Sequence, residues 1–342
     1  MTRFTRLADI DALLTNLPAP DAAAQSAARA HQDSLTKPPG SLGRLEDIAV
    51  FLAGWQAMPH PQLSHCQALV FAGNHGVCAQ GVNAFPQSVT EQMVLNFTSG
   101  GAAINQLCQV AGADLSVIPL AELTPTRDFT THEALTEAQV LDALNRGADA
   151  LNDGGHVVIL GEMGIGNSTV AAALCAALIG GAAEQWIGPG TGADSDGLKR
   201  KTAAVSAGLE RHAALLGSPL AILRALGGYE QAALCGAILG ARMQRTPVIL
   251  DGFICSAAAA VLHAIDPRLL DHCLVGHISG EPGHEHLLAH LDKRPLLDLG
   301  MRLGEGTGAA VAVSILRAAV ACHNGMATFE HAGVSQAAVS HE

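Results

Sequence analysis

Five short apolar runs punctuate the chain, each closing on glycine or a polar turn before helical spacing sets in. They are Ala68–Ala72 (ALVFA), Leu115–Leu120, Val157–Leu160 (VVIL), Val248–Leu250 (VIL) and Leu274–Ile278 (LVGHI). Runs of this length without polar alternation read as strands buried on both faces. Between them the spacing predicts helices over Val89–Cys108, broken at the glycine pair 100–101, and over Glu137–Asn152, Ser168–Ile179, Gly197–Leu216, Tyr229–Gln244 and Ser256–Ala264. Strands alternating with helices predict an α/β fold, a mainly parallel sheet with helices on both faces in a Rossmann-like three-layer arrangement. Ligands gather at the carboxyl ends of such strands. Those ends carry Gly, Asn, His, Asp and Glu here.

The two termini lack that alternation. Residues 1–60 are helical apart from the polar LTKPPGSLGRLE, and 305–323 form a long Ala-rich helix. The expected organisation is a small helical domain, residues 1–60 with 300–342, and a large α/β substrate-binding domain over 61–299.

Composition narrows the function classes. Apolar residues make up 49%, aromatics only 3% and charged residues 15%, which suits a large core of small aliphatic side chains and not a disordered chain. The net charge of -12, with no Lys/Arg cluster to neutralise phosphates along a duplex, argues against nucleic acid. Eight cysteines contain no CxxC pair, so buried free thiols in a reducing cytosol are expected. MTRFTRLADIDALL reads as a short amphipathic helix and not a signal peptide. The apolar stretch Ala309–Ala321 is interrupted by Ser314 and Arg317 and is too short to span a bilayer. A soluble cytoplasmic protein without membrane or nucleic-acid partners is the expectation.

Candidate chemistry sits in the turns. GEMGIGNST (161–169) follows a strand and opens a helix, so its amides can hold an anion such as phosphate or form a tight turn capped by Asn167 or Ser168. GPGTGADSDGLKRK (188–201) sets Lys199, Arg200 and Lys201 near a helix start, where cations oppose the dipole; a bound anion or a solvated face explains them. His75, after the first strand, is a general base or holds its loop by hydrogen bonds. Phe85 offers a stacking surface or packs in the core. His286 and His290 have metal-binding spacing on one helix face, but the segment matches no zincin. Asp251, ending VILD, is a candidate ligand for a ribose hydroxyl. Glu305 is a lone acid among the glycines of RLGEGTGAA; glycines leave room for a planar ring, and an acid there either acts as a base or caps the following helix.

Together these blocks closely resemble the nicotinate-nucleotide–dimethylbenzimidazole phosphoribosyltransferases, which make the lower-ligand nucleotide of cobalamin. The resemblance runs in order through LTKPPGSLGRLE, GVNAFPQSVTEQM, GEMGIGN, GPGTGADSDGLKRK, GGYEQAALCGAILGA, PVILDGF, ISGEPGH and RLGEGTGAA. It implies a homodimer with a parallel-sheet domain and a small helical domain. It also implies Glu305 as general base and Glu162 beside the ribose. Gly164, Gly166, Gly190, Lys201, Ser279 and Gly280 then surround the nucleotide and its phosphate, with Lys201 as the phosphate cation. Asn83, Phe85, Gln92, Met163 and Leu303 face the aromatic base. Asn83 stands where the family commonly has Ser, and Phe85 where it commonly has Tyr; both departures bear on base choice.

The resemblance implies small-molecule substrates, nicotinate mononucleotide and dimethylbenzimidazole, with no cofactor and no metal. The pyridinium leaving group is already cationic and leaves C1′ as a neutral ring, so no metal–pyrophosphate clamp is required. A nucleoside hydrolase or phosphorylase using the same carboxylates, and a non-catalytic nucleotide-binding protein, are the alternatives from the residues alone.

Overall fold

The five runs become five parallel strands in a computed structural model that describes residues 3–190 and 192–335. They are β1 Cys66–Ala72, β2 Ala113–Pro119, β3 Val157–Met163, β4 Val248–Leu250 and β5 Cys273–Val275, in the order β2-β1-β3-β4-β5. From β1 the chain winds outward to β2 and then returns to place β3 on the other side. The carboxyl ends of β1 and β3 therefore flank the point where the winding reverses, the usual ligand crevice of such sheets. β1, β3 and β4 are buried almost throughout, whereas edge strand β2 is half exposed.

Two departures from the expected elements shape the crevice. β3 runs past VVIL to Met163, so Glu162 projects from the strand itself. β5 stops at Val275, short of Ile278, because Gly276 lies against the helix Thr307–Gly325; a Cβ there would stand 2.6 Å from the Ala309 Cα. The helices Pro219–Leu226 and Gly283–His290, eight residues each, are too short to stand out as periodic segments. The break at 100–101 separates Ser88–Thr98 from Ala103–Ala111, with Gly100 in the left-handed region. Helix Tyr229–Met243 is buried all round and lies close on Glu137–Asp149 through glycines 147, 236 and 240, which accounts for a core poor in aromatics.

Contacts divide the chain into two compact units. One takes the N-terminal stretch to Pro18 with His65–Ala312; the other takes Ala19–Ser64 and the chain from Val313 onward. This differs from the expected 1–60 with 300–342 grouping at three places, the smallest being residues 61–64, which join the second unit. The stretch before Pro18 goes with the sheet, since Phe4 and Ile10 enter its core and Phe4 exchanges two 2.8 Å hydrogen bonds with Asn145. Residues 300–312 go with it too. In the second unit the helices Ala22–Ser34 and Arg44–Gln56 share a small core of Ala28, Val50 and Ala53. The polar LTKPPGSLGRLE is tied there by a buried Lys37–Glu46 ion pair at 2.8 Å. No helix among the described residues is long and apolar enough to cross a membrane.

Candidate active site

The crevice lies at the carboxyl ends of β3, β4 and β5, reaching the winding reversal only through Val82, Asn83 and Ala84 of the chain after β1, and holds about 800 Å³ of space open to solvent. Of the residues expected at a site, Asn83, Glu162, Met163, Gly164, Gly166, Gly190, Lys201, Asp251, Ser279 and Leu303 line it. Phe85, Gln92, Gly280 and Glu305 do not form its immediate wall. Phe85 and Gln92 are exposed, on a loop and on the helix Ser88–Thr98; Asn83 donates to the Phe85 carbonyl at 2.5 Å. Glu305 is buried directly behind Gly304.

The turn carrying Glu305 is built by close backbone approach. Residues 304, 305 and 306 all have positive φ (85°, 63° and 85°). That is free for the two glycines and costs of order 1 kcal/mol or more for a glutamate. A Cβ on Gly161 would stand 2.6 Å from the Glu305 carbonyl carbon, so β3 needs glycine where the turn crosses it. Glu305 N–H donates to the Glu162 carbonyl at 3.2 Å. Asp251 finishes the anchoring: its two oxygens accept from Gly306 N–H at 3.1 Å and Ala309 N–H at 2.9 Å. Asp251 therefore caps the helix Thr307–Gly325, the job that Glu305 had as its alternative. Each Asp251 oxygen thus accepts one backbone hydrogen bond, which makes Asp251 a positioning residue here, and the side chain also lines the crevice. One Glu305 carboxylate oxygen is buried with no hydrogen-bond partner.

Three acids thus crowd one end of the crevice. Burial, then the negative field of Asp251, pushes Glu305 up to about 7. Burial, then Asp251 and Glu230, pushes Glu162 up to about 8 against the short hydrogen bond it accepts from Asn167. A buried carboxylate with a raised pKa in a cleft is the pattern expected of a proton acceptor.

The other end holds cations. Lys199 is exposed and pairs with Asp196, and Arg200 donates to the Gly81 carbonyl at 2.7 Å. Lys201 alone of the three turns inward, buried, donating to Ser168 Oγ at 3.1 Å and the Gly188 carbonyl at 2.9 Å. Burial lowers its pKa, countered by Glu281, which accepts from Gly190 N–H at 3.0 Å. Arg302 reaches the Gly190 carbonyl at 2.9 Å. With Ser168 Oγ at the start of the helix Asn167–Ile179, these groups form a site suited to a phosphate dianion. Ser279 is fixed through its N–H, which donates to His284 Nδ1 at 2.8 Å; burial pushes that histidine down to about 3, so it is neutral and able to accept.

Arg302, Glu281, His277, His284 and Asn167 were not expected as site residues from the sequence. All lie inside or beside the quoted motifs, but which of them turns inward depends on tertiary packing. His75 is buried against Glu230 at 2.6 Å and is absent from the crevice wall. His286 and His290 part company, one against Trp186 and the other against His263.

Comparisons with known proteins identify the family. A family model described as phosphoribosyltransferase matches residues 17–334. The chain is 57% identical to the nicotinate-nucleotide–dimethylbenzimidazole phosphoribosyltransferase of Rhodobacter capsulatus, covering 98% of this chain and 100% of the relative. It is 58% identical to that of Novosphingobium aromaticivorans, covering 98% and 99%. The crystal structure of CobT from Thermus thermophilus is similar with a TM-score of 0.85 at 41% identity, covering 92% of this chain and all of that one.

Proposed function

Because the chain belongs to the nicotinate-nucleotide–dimethylbenzimidazole phosphoribosyltransferase family, we propose that its crevice moves the phosphoribosyl group of nicotinate mononucleotide onto 5,6-dimethylbenzimidazole. The products are α-ribazole 5′-phosphate, for the cobalamin lower ligand, and nicotinate. The observation that carries this reading is Glu305: a buried carboxylate with a free oxygen, held in left-handed backbone, whose capping role Asp251 has taken over.

The 5′-phosphate lies between Lys201, Arg302 and Ser168, at the start of the helix Asn167–Ile179. The ribose then extends toward Glu162, and the pyridinium toward the acid end. The incoming benzimidazole attacks C1′ with its unprotonated nitrogen, the bond from C1′ to the pyridinium nitrogen breaks, and nicotinate leaves with a neutral ring nitrogen. Attack from the opposite face inverts C1′ from β to α. Glu305 accepts the proton that the benzimidazole's other N–H must lose. The cationic substrate also relieves the crowding of acids, favouring ionised Glu162 and Glu305 as it binds. Ionised Glu162 then stabilises positive charge developing on the ribose.

The protein acts as a homodimer in this reading, supported by the half-exposed edge β2 and by Leu95 and Val110, which are 62% and 76% exposed on neighbouring helices. A cytoplasmic setting is supported by its unbridged cysteines. Chromatography of nicotinate mononucleotide incubated with a panel of aromatic bases tests the reaction. A base-dependent α-nucleotide is expected. Ribose 5-phosphate formed equally without base would identify a hydrolase, and no turnover would leave only a binding protein.

A further inference from the structure

Three histidines far apart in sequence meet in the second unit. His31 is in the last turn of the helix Ala22–Ser34, His60 in the loop after Arg44–Gln56, and His323 in the last turn of Thr307–Gly325. One nitrogen from each lies within 4.8 Å of the other two. The ring centroids are 4.8, 4.9 and 5.7 Å apart and the planes are inclined by 52–77°, so the rings converge without stacking.

The hydrogen bonds sort the nitrogens. His31 Nε2 lies 2.8 Å from the His323 carbonyl oxygen, which can only accept, so His31 donates there and keeps its lone pair on Nδ1. His323 Nε2 likewise donates to the Pro59 carbonyl at 2.9 Å and keeps its lone pair on Nδ1. A carbonyl on the far nitrogen is what orients metal-bound imidazoles. Gln32 Nε2 sits 2.8 Å from His323 Nδ1, while Gln32 Oε1 is buried without a partner. Turning that amide over frees the Nδ1 lone pair and brings an oxygen toward the same point.

We propose that His31, His60 and His323 bind one divalent transition ion of the zinc class, with Gln32 or water as fourth ligand, clasping the helices of this unit together. Three imidazoles select Zn²⁺, Co²⁺, Ni²⁺ or Cu²⁺ over Mg²⁺ or Ca²⁺. Nitrogens on a tetrahedral zinc, at about 2.0–2.1 Å from the ion, stand roughly 3.3 Å apart. The rings must close by about 1.5 Å, and His60, exposed on its loop, can supply the movement. None of the three lines the crevice, so the ion's role is structural.

Untagged full-length protein, stripped with a chelator, is titrated with zinc chloride by calorimetry and with cobalt chloride by visible absorption. One zinc per chain, a higher Tm and the intense absorption of tetrahedral cobalt are expected. His60→Ala should weaken zinc binding at least tenfold, while His290→Ala leaves it unchanged. Folding of both variants is checked by circular dichroism. Loss of the first site in His290→Ala, undiminished binding in His60→Ala, or less than one zinc per chain in the parent would each overturn the assignment.

Discussion

The two ends of the crevice keep their charges in opposite ways. At the phosphate end each cation is already satisfied: Lys201 rests on a hydroxyl and a carbonyl near Glu281, and Arg302 rests on the Gly190 carbonyl. At the acid end Glu162 and Glu305 are raised by burial and by other carboxylates, and an oxygen of Glu305 has no partner. The first arrangement is stable alone and needs only to exchange neutral partners for a phosphate. The second is unfavourable alone and improves when a cation arrives. A site with cations at one end and raised acids at the other suits a substrate that is anionic at one end and cationic at the other.

The comparison breaks most sharply at Glu305. Glu305→Gln keeps the size of the side chain and leaves Asp251 to cap the helix, so the fold should survive. As the base for benzimidazole, its loss should lower kcat on the order of a hundredfold or more, with nucleotide binding retained. In the parent, kcat/KM should fall as pH drops below about 7, where the carboxyl becomes protonated. A folded Gln variant with near-parental kcat would mean that the acid end shapes the crevice without taking the proton.

Lys201→Ala tests the other end. Loss of a charge-assisted hydrogen bond of about 1.5–3 kcal/mol corresponds to roughly a tenfold to hundredfold rise in the nucleotide KM. The KM for the base should barely move. Equal losses for both substrates would indicate that buried Lys201 supports the fold through Gly188 and Ser168. Arg302→Ala should act on the same KM by only about a fewfold, since its exposed guanidinium is screened by water. An Arg302 effect as large as that of Lys201 would place the phosphate nearer the mouth.

How much of this was legible beforehand follows from how local each feature is. Strand order aside, the sheet could be read from apolar runs because burial on both faces leaves an uninterrupted signature, as in β4. Glu305 stood out because glycines on both sides are a local fact. Asp251 was singled out as a ribose ligand, but its role as a cap spans 55 and 58 residues to its partners, which no spacing rule connects. Spacing alone does not tell Lys201 from Lys199 and Arg200, since helix packing decides which of three adjacent cations faces inward; only the family resemblance singles it out. The His31–His60–His323 cluster escaped for the same reason: each histidine is unremarkable where it stands in the sequence.

The smallest expected effect reads the acid end without substrate. Glu162 has a folded pKa of about 8, far above that of an unfolded glutamate, so between these values the folded chain holds a proton that the unfolded chain has lost. Stability then falls as pH rises through that window, because the native state binds more protons. Buried histidines act with the opposite sign but below pH 6.5, where only their unfolded forms take up protons, and the raised cysteines act mainly above pH 8.5. Between pH 7 and 8 the slope therefore belongs chiefly to Glu162, with a smaller part of the same sign from Glu305, raised to about 7. Thermal unfolding should show Tm falling by roughly a degree or two across that unit of pH. Glu162→Gln, which still accepts from Asn167 but cannot ionise, should flatten the slope. Adding nicotinate mononucleotide should flatten it in the parent as well, since the bound cation lowers the cost of ionising the carboxyl. A slope unchanged in the Gln variant would mean that the acids are not held at a cost, and the contrast between the two ends would fail.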